Sequence, residues 1–156
     1  MNILRFLTPK QDVSFVYEDY SVEQALHVME RVRYTSIPII RRSGQYVGTL
    51  TEGDLLWFLR KREEGFAGTN KLPLKKVPRH QNNKPLRASM DLHDLLVTAV
   101  DQNFAPVVDD RGMFIGIITR KKVIEYLREQ QAAQKAAKPS ASAENEVLLR
   151  KQVHIS

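Results

Sequence analysis

Two hydrophobic periodicities alternate along this chain, and the alternation occurs twice. Behind Ser21-Val22-Glu23-Gln24, which has the form of a capping box, Val22, Ala25, Leu26, Met29 and Val32 recur at helical spacing. Ile37 to Ile40 is a short β-branched run, Arg41-Arg42-Ser43-Gly44 a turn, and Tyr46 to Leu50 a second apolar run, which together predict a hairpin. Leu55, Leu56, Phe58 and Leu59 then load an amphipathic helix expected to run into Arg60-Lys61-Arg62-Glu63-Glu64. The same order returns as a helix from about Asp91 to Val100, strands over 106–109 and 114–118, and a helix from about Arg120 to Gln130. A short strand is expected before each unit, around Val13–Val16 and around Val77 or Leu86–Ala88.

The two units match residue by residue. Pro38 to Pro106, Gly48 to Gly116 and Thr51 to Thr119 are all the same 68 positions apart, and Ile37-Pro38-Ile39-Ile40 answers Ala105-Pro106-Val107-Val108 without a gap. Such agreement in apolar, Gly, Pro and Thr positions indicates duplication. One unit of about 55 residues buries too little surface to stand alone comfortably, so the copies are expected to pack sheet to sheet as a pseudo-two-fold pair. The expected division is repeat 1 over 6–64, a linker over 65–85 opened by Gly65 to Asn70 and carrying Pro73 and Pro78, and repeat 2 over 86–130. The remainder, 131–156, shifts to Ala, Lys, Ser and Gln and is expected to be flexible or partly helical, with Glu146 to Arg150 as a possible short interaction helix.

Composition narrows the function. The chain has 156 residues, 42% of them hydrophobic, with no cysteine, which excludes disulfides, thiolate zinc sites and cysteine nucleophiles together. Four scattered histidines give no metal-ligand spacing, and no Ser or Thr has a matching His and carboxylate pattern, so an enzyme is not expected. No apolar run approaches the ~20 residues that span a bilayer. The opening Met1-Asn2-Ile3-Leu4-Arg5 lacks a basic segment followed by a long apolar one, so a cytoplasmic protein is expected. The net charge of +6 comes largely from Arg60-Lys61-Arg62, the stretch Lys71 to Arg87, and Arg120-Lys121-Lys122. A solvated surface, a phosphate-bearing small ligand and a nucleic acid all fit it. The last is disfavoured by the absence of an Arg-rich recognition helix or exposed aromatic run.

Thr51 falls where a strand meets a helix, with Asp54 three residues on. The carboxylate could accept from ribose hydroxyls and the Thr hydroxyl could contact ribose or phosphate, at a helix end whose free N–H groups favour anions. The same Thr-x-x-Asp is equally a capping box that needs no ligand. In the second copy Thr119-Arg120-Lys121-Lys122 places Lys122 where Asp54 stands in the first. Lysine cannot accept a hydroxyl proton, and three cations in a first helical turn are unfavourable unless an anion offsets them.

Ile37-Pro38-Ile39 leading to Gly48-Thr49-Leu50-Thr51-Glu52-Gly53-Asp54, repeated in tandem, resembles the cystathionine-β-synthase (CBS) domain over roughly residues 6–130. The resemblance implies an α/β (α+β) fold of two pseudo-symmetric CBS repeats, each helix–strand–strand–helix with a short preceding strand. It also implies an adenine nucleotide in the cleft between repeats, homodimerisation, and regulation of a partner protein rather than catalysis or a cofactor. The residues before Pro38 (Tyr34, Thr35, Ser36 and Ile37) would meet an adenine edge, with Val13 and Val16 over its faces. The Thr-Arg-basic motif, the shortened helix before Asn103-Phe104-Ala105-Pro106 and the start Phe6-Leu7-Thr8-Pro9 are similar to the stand-alone CBS-pair proteins that bind cyclic di-AMP. That resemblance implies ligand contacts from Ser14, Val16, Tyr34 to Ile37 and Arg120, with Lys121 or Lys122 assisting, and Pro38, Phe104, Ala105 and Thr119 complete the candidate ligand site. Thr51 and Asp54 suit a mononucleotide with a free ribose diol, so AMP, ADP, ATP and cyclic di-AMP all remain open, beside a nucleic-acid-binding or ligand-free scaffold reading.

Overall fold

The computed structural model describes residues 1–137, and the segment Glu146 to Arg150 lies outside them. The chain divides into two units, one ending at Arg120 and one beginning at Lys121. The first holds both sheets. In it, β1 (Thr8–Pro9), β2 (Val16–Tyr17), α1 (Val22–Val32), β3 (Ser36–Ile40), β4 (Tyr46–Thr51) and α2 (Glu52–Arg60) are followed by β5 (Leu86–Arg87), α3 (Leu92–Asp101), β6 (Phe104–Val108) and β7 (Phe114–Thr119). The second unit is helical over its described part. Its helix, α4 (Arg120–Ala137), runs seven residues past the expected stop at Gln130, because the Gln-Ala-Lys composition after it carries no breaker before Pro139.

Each copy builds a hairpin with a parallel strand beside it. β3 pairs antiparallel with β4, and β2 lies parallel to β3 through Val16 opposite Ile39. The second copy reproduces this with β6, β7 and the parallel β5, Leu86 opposite Val107. Ser21 and Asp91 both close reciprocal capping boxes, with Gln24 and Asp94, at the starts of α1 and α3. The helix α2 stops at Arg60, short of the expected run to Glu64. There the Arg62 guanidinium turns back onto the carbonyls of Gly65 and Ala67. From helix start to strand start is two residues shorter in the second copy. The α1 end needs a left-handed Arg33 (φ 58°) before Tyr34 and Thr35, whereas α3 leaves through an extended Gln102 directly before Asn103.

The two sheets meet about the duplication's own axis. At the hairpin tips Tyr46 N–H donates to Gly112 O (3.3 Å) and Phe114 N–H to Gly44 O (2.9 Å), so equivalent residues exchange equivalent bonds. Beneath them Val13, Ile40, Phe104, Phe114 and Ile117 form one buried cluster drawn from both sheets, flanked by Phe15, Tyr17 and Tyr46. A second core, around Val16, Val22, Ile37, Ile39, Leu50, Leu55 and Leu59, fills repeat 1 and takes in Leu74 and Val77 of the linker. Burying these side chains supplies the main driving force, at roughly 25 cal/mol per Å² of apolar surface.

Each repeat also reaches across to the other. The first residues of the chain add β1 to the second sheet, with Thr8 opposite Ile117 and Pro9 opposite Gly116. The linker lies against β4 of the first sheet, Asn82 Oδ1 accepting from Thr49 N–H at 2.9 Å. Gly48 and Gly116 thus serve close approach of these crossing segments.

Candidate functional site

Residues of the two repeats converge first where β3, β6 and β7 have adjoining ends. Ser36 opens β3, and its hydroxyl accepts from Asn103 Nδ2 at 2.7 Å. Asn103 O in turn accepts from Arg120 N–H (2.9 Å), and Thr119 stands opposite Phe104 in the sheet. Arg120 Nε donates to Ala99 O (2.8 Å) and Gln102 O (3.1 Å), the unsatisfied carbonyls at the end of α3. This fixes the guanidinium by one nitrogen, so Nη1 and Nη2 have no hydrogen-bond partner among the described residues. A planar fork held this way suits a phosphate or carboxylate.

Tyr34 and Thr35 are exposed beside this point, and Thr35 O accepts from Glu52 N–H (2.9 Å). Ile37, Pro38, Phe104 and Ala105 are buried, which leaves their backbone as the part able to meet a ligand. Val16 is fully buried in the repeat 1 core, and Val13 belongs to the cluster between the sheets. With Phe15, Pro9 and Lys10, Val13 also lines an open groove of about 700 Å³. Ser14 is partly exposed between them. Lys121 and Lys122 are exposed in the first turn of α4, which carries no acidic residue.

Thr51 and Asp54 lie at a different place. Thr51 Oγ1 accepts from Asp54 N–H (3.0 Å) and Asp54 Oδ2 from Thr51 N–H (3.0 Å), so the capping box is formed. Asp54 Oδ1 accepts from His80 N–H of the linker at 3.0 Å, and the residue is only 7% exposed. Both residues border a cavity of about 550 Å³ completed by Trp57, Phe58, Lys61, Arg79 and His80. Replacing Thr51 with alanine is expected to cost about 1 kcal/mol in the ligand-free protein, with serine restoring most of it, because the cap acts without a ligand. Urea unfolding of the three proteins checks this.

Between the two places runs a buried polar network that sequence reasoning missed. Asn83 N–H donates to Thr49 Oγ1 (3.1 Å) and Asn83 Nδ2 to Phe104 O (3.0 Å), while Gln102 binds both Lys84 N–H (2.6 Å, through Oε1) and Lys84 O (3.1 Å, through Nε2). Among the described residues no buried side-chain polar atom lacks a partner. Nothing in the pattern around Gln81-Asn82-Asn83 separates buried asparagines from exposed ones, since both read as linker. Among the described residues no group of three His, Asp or Glu could hold a metal ion, and no helix is long and apolar enough to cross a membrane.

Comparison with known proteins places this arrangement. The family model for the CBS domain matches residues 6–61 and 78–129. The chain is 29% identical over 143 residues to the chloroplastic CBS domain-containing protein CBSX2 of Arabidopsis thaliana, covering 76% of this chain and 60% of that one. It spans about half the length of the first such relatives, 45% and 60%. Its fold is similar to that of CbpB in complex with c-di-AMP, with a TM-score of 0.78 at 20% identity over 88% of this chain and 91% of that chain. It is also similar to CBSX2 in complex with AMP, with a TM-score of 0.65 at 26% identity over 83% and 98%.

Proposed function

The chain belongs to the CBS-domain family, and we propose that it is a regulatory module that senses an adenine nucleotide and signals to a partner protein without catalysing a reaction. The observation that carries this reading is Arg120, held by Nε on two backbone carbonyls beside Asn103 and Ser36 with its terminal nitrogens unengaged. In this reading the base lies against the backbone of 34–38 and 104–105, Ser14 borders it, and Arg120 takes a phosphate with Lys121 or Lys122 adding charge. Proteins of like fold bind c-di-AMP and AMP, which supports the ligand class. Asp54 already accepts one backbone N–H on each oxygen, so the Arg120 fork is the better-prepared contact, and it would take a phosphate of cyclic di-AMP or of AMP. The working division keeps repeat 1 at 6–64, the linker at 65–85, repeat 2 at 86–130 and a tail from 131, in a cytoplasmic homodimer. The exposed Leu56 and Phe66 offer apolar surface for the second copy.

Calorimetry with cyclic di-AMP, AMP and ATP tests the ligand. A ligand at 100 times its dissociation constant should stabilise the fold by about 2.7 kcal/mol. Arg120→Ala should weaken binding by tenfold or more, the size of a lost charge-assisted hydrogen bond. No binding of any of the three at sub-millimolar concentration would leave a protein-interaction scaffold. A low-salt gel shift with retarded nucleic acid would instead favour the basic linker as the functional face.

A further inference from the structure

We propose that the linker residues Asn82 and Asn83 form a latch that couples the Arg120 site to the Asp54 cavity, so that nucleotide capture at the first is felt at the second. The proposal rests on the nucleotide reading above and concerns how the bound state is passed on.

The connection is continuous. Arg120 Nε holds Gln102 O, and the Gln102 side chain grips Lys84 at both its N–H and its carbonyl. Asn83 Nδ2 joins Phe104 O and Asn103 Oδ1 on the second repeat, while its backbone N–H and carbonyl bind Thr49 and Tyr46 on the first. Asn82 Oδ1 takes Thr49 N–H, and three residues before Asn83 the His80 N–H closes on Asp54 Oδ1. Thr49, Asp54, Asn83 and Gln102 are between 1% and 8% exposed, so water does not replace a bond lost at these four, whereas His80, Asn82 and Lys84 between them are exposed. A displacement at Arg120 would pass along the segment through these four buried groups.

The molecule's own near-symmetry marks this segment as the moving part. Its counterpart at the other sheet, Thr8–Pro9, is fixed by backbone strand pairing to Gly116 and Ile117. The linker instead meets β4 through asparagine side chains and single bonds to Thr49 and Tyr46. A ligand phosphate drawing the Arg120 fork would shift Gln102 and Lys84, loosen His80 from Asp54, and reshape the cavity beneath Trp57.

Trp57 is the chain's single tryptophan, is 54% exposed and lines that cavity, so its emission reports on the far end of the latch. The full chain is titrated with cyclic di-AMP and with AMP, following Trp57 emission and calorimetric heat in parallel. The expected result is an emission change that saturates along the binding isotherm in the native protein. In Asn82→Ala, whose side chain bonds Thr49 N–H of the first repeat, binding persists and the emission change is lost. Asn82 is exposed, so its variant keeps the fold. Binding without an emission change, or a change that survives in the variant as it would for a ligand touching Trp57 directly, overturns the latch and leaves the nucleotide reading standing. Absence of heat with both nucleotides removes that reading, and the latch loses its input with it.

Discussion

Gly116→Ala is expected to lower stability by about 3 kcal/mol, the upper end for forcing an extra methyl into packed structure, and to lower the melting temperature by about 10 °C. A Cβ at Gly116 would collide with the carbonyl oxygen of Thr8 and lie 2.9 Å from Leu7 Cδ1 and 3.1 Å from Pro9 Cα. Two of those three atoms are backbone, and β1 is pinned to β7 by its pairing, so the strand must leave the sheet edge to make room. Gly48 is the same residue in the other copy, but there the Cβ would meet Asn82 and Arg79 side chains, which can rotate away at the cost of the Asn82 bond to Thr49 N–H. Gly48→Ala should therefore cost about 1 kcal/mol, or roughly a third as much. Thermal and urea unfolding of the two variants gives the comparison. Equal losses would mean that the crossing segments are equally rigid, contrary to the asymmetry seen here.

That asymmetry also shows what the sequence could disclose. The repeat was legible because its elements are long enough to carry a period. The apolar steps of Val22 to Val32 and the β-branched runs at 37–40 and 105–108 follow burial, and burial is what the fold preserves between copies. The capping reading of Thr51 and Asp54 was equally legible, because it depends on a three-residue spacing within one helix. β1 was not, since two residues ending in proline show no alternation and are held by a partner more than 100 positions away. The same limit hid Asn83 and Gln102. Their burial comes from lying between two repeats, a long-range fact with no local signature. The candidate residues Thr119 and Arg120 were reached through the departure of copy two from copy one, and Ser36 through its place before Pro38. That Ser36, Asn103 and Arg120 come together is supplied by the pseudo-two-fold packing.

Raising the pH from about 9 to 12 should destabilise the native protein by roughly 2–3 kcal/mol more than it destabilises Tyr46→Phe. Tyr46 is mostly buried, and loss of hydration pushes its phenol up to about 12, against a smaller opposing pull from the Thr49 hydroxyl and the charge of Arg79. The hydrogen-bond pattern fixes the direction of each proton. Tyr46 O–H lies 2.6 Å from Asn83 O, which can only accept, so the 2.8 Å contact with Thr49 Oγ1 must be donated by threonine, while Thr49 Oγ1 accepts from Asn83 N–H. Tyr46, Thr49 and Asn83 thus close a ring in which every proton is used. In the unfolded chain tyrosine ionises near pH 10. Between about 10 and 12 the unfolded chain's tyrosine binds fewer protons than Tyr46 in the fold, so the Tyr46 contribution to stability is constant below that window and falls as pH rises through it. Ionising the folded protein would set a phenolate against the Asn83 carbonyl and open the ring. Tyr46→Phe begins lower at neutral pH by about 1–3 kcal/mol, because Asn83 O and Thr49 lose their partner, but its stability should decline less steeply above pH 10. Urea unfolding midpoints against pH for the two proteins isolate the effect, since the other four tyrosines are common to both. Parallel curves would show that the phenol is solvated and that the ring does not secure the linker to β4. Converging curves, with the native advantage lost above pH 10, would show that the ring secures Asn83 to the first repeat, because the group that holds the linker there would be the one whose ionisation weakens the fold.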